Sequence, residues 1–209
     1  MSKAILISIQ PKWCELIASG KKTVEVRKTR PKIDTPFKCY IYCTKPRHYY
    51  KISKHLLISD ESLFLVNGEV RMCDGFGVEY EDAEYKHLNC KVIGEFVCDR
   101  IDYVRNYGDC VDSYDCIASC LSANEIIEYA KDKDGNFIYT YGWHISNLVI
   151  YDKPKELIEF YTWKKCNSCR DTGYESTACC YDIDCKVPAV ISRPPQSWCY
   201  VERKEDEKR

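Results

Sequence analysis

Two strand patterns flank one short helix within the first 27 residues, and that spacing leaves little room for a helical fold. Ala4-Ile5-Leu6-Ile7-Ser8-Ile9 is a continuous apolar run and reads as a buried strand. Pro11 stands where the first helical residue belongs, and Gly20 where the chain must leave the helix. Between them Trp13, Leu16 and Ile17 fall at i, i+3 and i+4, a single apolar face. Residues 22–27, Lys-Thr-Val-Glu-Val-Arg, then alternate strictly. Val24 and Val26 face one way, Thr23, Glu25 and Arg27 the other. The expectation is that the valines hold the core and leave Arg27 free for a ligand. Arg30-Pro31 stops the strand.

Strand signals dominate the remainder of the chain. Residues 37–43 form a third strand, and Asn67-Gly68 inside 63–70 is a hairpin signal. Residues 91–100 read as strand, and a Tyr/Asp/Cys-rich loop runs to about Cys120. Ser122 caps a helix over 123–130, with Glu125 as its capping-box partner. Residues 141–145 and 148–151 read as loop and strand, and 197–201 as a last strand. Residues 154–163 carry apolar groups at mixed spacing that fit neither period. Crossover helices are too few for a doubly wound sheet. The predicted fold is mainly β with α elements: a small, mostly antiparallel barrel with one or two flanking helices and a Cys-rich C-terminal extension. The expected organisation is a barrel domain over 1–160, a Cys-rich arm over 161–192, a returning strand over 193–201 and a charged tail over 202–209.

Charge is uneven along the chain. The formal net charge is −1, but residues 1–50 hold eleven Lys/Arg against three acids, a local balance of 11 − 3 = +8. Residues 60–90 hold eight acids against Arg71 and Lys86, a balance of 2 − 8 = −6. A basic stretch in a neutral protein points to an anionic partner, against the plainer reading of a solvated mixed surface. No apolar run is long enough for a membrane span, and the N-terminus turns polar too soon for a signal peptide. A cytoplasmic protein with no membrane contact is the expectation.

The chemistry concentrates in the helix–turn–strand unit. The run from Ser8 to Lys28 resembles the signature of the ASCH domain family, relatives of the PUA domains of RNA-modifying enzymes. The hallmark is Gly-x-Lys-x-x-Glu-x-Arg after a short helix, met here by Gly20, Lys22, Glu25 and Arg27. The resemblance implies a β-barrel with a cleft beside the motif that holds RNA, a nucleotide or a modified base. The residues agree on their own terms. Arg suits a phosphate or a base edge, and a carboxylate accepts from an exocyclic amine. The expected ligand-binding set is Ser8, Lys12, Lys22, Thr23, Glu25, Arg27, Trp143, His144, Gln196 and Trp198. Trp143 and Trp198 are expected to stack and Gln196 to supply an amide. The alternative is a structural Glu25–Arg27 pair on the barrel surface.

One enzymatic branch of the family hydrolyses N4-acetylcytidine with a Thr–Lys–Glu set. Its motif reads Gly-x-Lys-Thr-x-Thr-x-Arg, and Glu25 stands where the nucleophilic Thr belongs. A hydrolase acting on RNA or a modified nucleoside would instead draw on Lys22, Glu25 and His144.

Fifteen cysteines are many for a chain without an export signal. Cys39, Cys90 and Cys98 sit in strand patterns, where a free thiol behaves as a small hydrophobe. Cys166-Asn-Ser-Cys169 is a knuckle followed by Cys179-Cys180 and Cys185. A structural zinc on Cys166, Cys169, Cys180 and Cys185, free thiols, and disulfides are the three readings. A protein-interaction adaptor using this arm is a further functional alternative, its partner unspecified.

Overall fold

The computed structural model describes residues 3–44, 49–51, 57–59, 63–66, 69–72, 90–105, 111–165 and 186–203. Its centre is β1 (Ala4–Ile9), whose six residues are all buried. A strand buried on both faces is a continuous apolar run, the pattern in the sequence. Chain direction then reverses through α1 (Pro11–Ala18), with Pro11 in its first turn and Gly20 at φ 72° just beyond it. Glycine meets that left-handed conformation without a Cβ clash.

β2 (Val24–Arg27) and β3 (Phe37–Cys43) come after the helix. The short strands β4 (Tyr49–Lys51) and β5 (Leu57–Ser59) pair antiparallel, as do β6 (Leu63–Val66) and β7 (Glu69–Met72). Val66 lies opposite Glu69, while Asn67 and Gly68 lie outside the described residues. β8 (Lys91–Tyr103), α2 (Ser113–Ser119), α3 (Ala123–Tyr129) and the long β9 (Tyr141–Lys155) come next. A 3-10 turn over Leu157–Glu159 leads to β10 (Phe160–Lys165). β11 (Lys186–Val190) and β12 (Trp198–Arg203) complete the order.

Eight strands form one sheet in the order β11-β10-β12-β1-β3-β8-β9-β2. β1 and β3 are parallel; every other pair is antiparallel. The architecture is mainly β with helices. Among the described residues the ladders form one eight-stranded sheet, and none joins β2 to β11.

The strand period of two sorts the core. Ile5, Ile7 and Ile9 join Cys39, Ile41, Phe96, Cys98 and Trp143 on one face. Leu6, Tyr40, Val92, Phe160 and Val201 gather on the other. A third cluster, Val26, Val104, Val111 and Ile126, lies under the helices. Gly142 on β9 lets β2 approach closely: a Cβ there would stand 2.9 Å from Val24 Cγ1. Among the described residues no helix is long and apolar enough to cross a membrane.

Candidate ligand-binding cleft

β2 supplies the charged groups. It ends the sheet, yet Val24, Glu25, Val26 and Arg27 are all buried. Val26 packs with Val104, Val111 and Ile126 in the cluster under the helices, away from the main core. Glu25 and Arg27 are engaged by the protein itself. The expectation of a free Arg27 on a solvent face is therefore corrected: the pleat does alternate, but both sides of this strand are covered.

Glu25 is the hub. Its Oε1 lies 2.9 Å from Arg27 Nη2 and its Oε2 3.3 Å from Lys22 Nζ. Lys22 Nζ donates to the Ser119 carbonyl at 2.6 Å, at the end of α2. Arg27 Nη2 donates to the Ser8 carbonyl of β1 at 2.6 Å, and Nη1 to Ser197 Oγ at 3.4 Å. Ser8 Oγ donates to the Pro195 carbonyl at 2.7 Å. One carboxylate and two cations thus tie α2, β1 and the 194–197 segment to β2. Such charges stay ionic under burial only because each is paired and hydrogen-bonded. Arg27 Nε is buried with no hydrogen-bond partner in the protein.

A cleft of about 710 Å³ opens beside this cluster. Trp13 from α1 and Tyr129 from α3 line it, with Pro194, Pro195, Gln196 and Ser197. Lys12 Nζ lies 4.4 Å and Lys22 Nζ 5.0 Å from the Trp13 ring centroid, within cation–π range. Glu125 also lines the cleft while its Oε2 accepts from the Ser122 backbone N–H at 2.8 Å and from Ser122 Oγ at 2.8 Å. The backbone hydrogen bond, against some burial, holds that carboxyl below the usual carboxylate range, and the charges of Lys12 and Lys22 add to the effect. Burial pushes the Tyr129 phenol up.

Among the expected ligand residues, Ser8, Lys12, Lys22, Glu25, Arg27 and Gln196 line the cleft. Thr23, Trp143, His144 and Trp198 do not. Thr23 is exposed, its Oγ1 3.5 Å from the Ala118 carbonyl oxygen. Trp143 is wholly buried in the main core, edge-on to Phe37 at 5.8 Å. His144 Nε2 lies 3.0 Å from Asp102 Oδ2, beside Arg100 on β8. Trp198 donates its indole N–H to Thr29 Oγ1 at 3.0 Å and packs on Trp143 and Tyr200. Trp13, Glu125 and Tyr129 are cleft residues that the sequence pattern does not single out as ligand groups. Trp13 reads there as part of an apolar helix face and Glu125 as a cap; both descriptions are accurate but partial.

Cys166, Cys169, Cys180 and Cys185 lie outside the described residues. Among the described residues no group of three or more His, Cys, Asp or Glu could hold a metal. A second buried carboxylate stands on α1: neither oxygen of Glu15 has a hydrogen-bond partner, and burial pushes its pKa to about 7 against the pull of Lys21.

A β-rich α+β domain with a motif-lined polar cleft is the class these features define. A family model for the ASCH domain matches residues 7–129, more than half of the chain, and the protein belongs to the ASCH domain family. Among solved structures, it is similar to ASCH from Zymomonas mobilis at 18% identity, covering 99% of this chain and 92% of that one, with a TM-score of 0.49. A point mutant of the same Zymomonas mobilis protein gives 17% identity, coverages of 99% and 93%, and a TM-score of 0.50. At such identities the likeness concerns the fold alone. No curated protein matches the chain.

Proposed function

We propose that the cleft binds RNA or a modified nucleotide or nucleoside. The carrying observation is that one cleft joins a flat aromatic wall, Trp13 under the Lys12 ammonium, to the buried Lys22–Glu25–Arg27 cluster of the motif. A nucleotide offers the matching chemistry: a π-face for Trp13 and a phosphate for Lys12.

Trp13→Ala is expected to weaken binding of a short RNA by about 1–3 kcal/mol. Trp13 also packs partly against the core, so Trp13→Phe serves as the folded control and is expected to retain most of the affinity. Lys12→Ala is expected to lower the slope of log affinity against log salt by about one. Titrations at several salt concentrations check both. Unchanged affinity in a folded Trp13→Ala protein refutes the assignment.

The geometry favours binding over hydrolysis. Both Glu25 oxygens face cations, and Lys22 is held by Ser119. His144 stands outside the cleft with Asp102. Of the three residues expected of a hydrolase, Glu25 and Lys22 are tied into ion pairs and hydrogen bonds within the protein, and His144 does not line the cleft.

For the cysteine arm we propose a structural zinc on Cys166, Cys169, Cys180 and Cys185. Support comes from the pairing of β10 with β11, in which Lys165 lies opposite Lys186. The segment between them therefore leaves and re-enters the sheet at one point, and a tetrahedral thiolate site would close that loop. Protein purified without added metal is expected to carry about one zinc per chain and to lose it on acidification, because the ligands must be thiolates. Metal-free protein whose 166–185 segment resists protease equally with and without chelator eliminates the site.

A further inference from the structure

Beyond the cleft, the described surface carries one dense aromatic patch. Tyr139 is 78% and Tyr103 56% exposed, and their ring centroids are 5.6 Å apart at 67°. Tyr103 and Tyr141 stand 5.1 Å apart at 37°. The Arg30 guanidinium lies 5.9 Å from the Tyr141 centroid. Rings this exposed keep much of their apolar area in water, a cost that a partner recovers.

The patch is continuous with the cleft. Tyr141 on β9 is the register partner of Arg27 on β2, and on its other side of Tyr103 on β8. Lys28, the next residue after Arg27, sits 5.2 Å from the ring centroid of Tyr129 on the cleft wall. Lys28 and Arg30 therefore run from the cleft wall to the tyrosines. Cations stand beside the nearby acids: Arg100 faces Asp102, and Arg105 is shared by Asp112 and Asp115. A polyanion crossing this face meets two cations, Lys28 and Arg30, and a run of three aromatic rings of which two are more than half exposed.

We infer that Tyr103, Tyr139 and Tyr141, with Arg30, form a stacking platform for unpaired bases of a single-stranded RNA that extends from the cleft. The inference rests on the cleft reading and makes the ligand a strand rather than a lone nucleotide. Stacking on tyrosine is indifferent to sequence, because every base has a π-face. Duplex RNA buries those faces and is not a ligand for such a platform.

The test uses the full chain with three probes: a random-sequence 12-nucleotide single strand, a duplex of equal length, and the four nucleoside monophosphates. The variant is Tyr103→Ala/Tyr139→Ala, both tyrosines being more than half exposed, with Tyr103→Phe/Tyr139→Phe as the ring-retaining control. The alanine pair is expected to lower single-strand affinity about tenfold or more at an unshifted melting temperature. The phenylalanine pair restores it, the monophosphates are unaffected, and the duplex binds wild-type protein more weakly than the strand does. Undiminished strand binding by the alanine pair overturns the platform and leaves the cleft reading standing, as does an equal loss for strand and monophosphates. Wild-type protein that binds none of the three overturns both.

Discussion

Glu25→Ala is expected to destabilise the protein by about 3–5 kcal/mol, the range for breaking a buried ion pair from one side. The side chain is 8% exposed and faces Lys22 and Arg27, themselves 2% and 10% exposed. Removing the carboxylate leaves two cations against one another with no anion between them. The loss is larger than a surface pair would give, because little water can screen or solvate the orphaned charges. Glu25→Gln keeps the volume and one acceptor oxygen, so it is expected to cost less than the alanine change. Urea unfolding of the three proteins with a shared m-value measures the difference. A loss under about 1 kcal/mol for Glu25→Ala would place the trio among solvated surface pairs. The same geometry assigns Arg27 a structural task. It holds the Ser8 carbonyl and Ser197, so the cluster both braces β1 against the 194–197 segment and shapes the cleft between them.

The local signals of the sequence carried much of this arrangement. Pro11 and Gly20 bracket α1, and the Ser122–Glu125 capping box forms at the start of α3, with Glu125 N–H donating back to Ser122 Oγ at 3.3 Å. Both features act within a few residues, so no tertiary knowledge is needed to read them. α2 was not legible. Ser-Tyr-Asp-Cys-Ile-Ala-Ser has weak helix propensity, and only Ala118 and Ser119 are buried, so no amphipathic face marks it. The helix is held instead by Asp112, whose side chain accepts from the Tyr114 N–H. β9 read as two segments because Asn147, at φ 47°, interrupts the alternation; the ladder with β8 absorbs the irregularity in register shifts. Residues 154–163 defied one period because they are three pieces: the end of β9, a 3-10 turn and the start of β10. In the site, the motif singles out Lys22, Glu25 and Arg27 but not what they face. Whether an alternating strand has a wet side depends on helices α2 and α3, which enter the chain about a hundred residues later.

Trp143→Ala is expected to cost about 3–5 kcal/mol, the largest of the core truncations. Trp143 is among the largest fully buried side chains, sits in register between Glu25 on β2 and Ile101 on β8, and contacts Phe37 and Trp198. Alanine would leave a cavity bounded by three separate strands, β3, β8 and β2, that the sheet's hydrogen bonds keep from collapsing. The indole also carries a liability: its Nε1 is buried with no hydrogen-bond partner. Trp143→Phe removes that donor and fills much of the space, so its cost is expected to be well below that of alanine, the relieved N–H offsetting about 1–3 kcal/mol of lost packing. Thermal and urea unfolding of both variants check the order. The two roles open to this residue part company in the measurement. A stacking wall loses ligand affinity while the melting temperature holds. A core residue loses stability first, and any RNA affinity follows the folded fraction. Equal stability of Trp143→Ala and the parent protein would move Trp143 out of the core and back to the ligand-stacking role expected from the sequence.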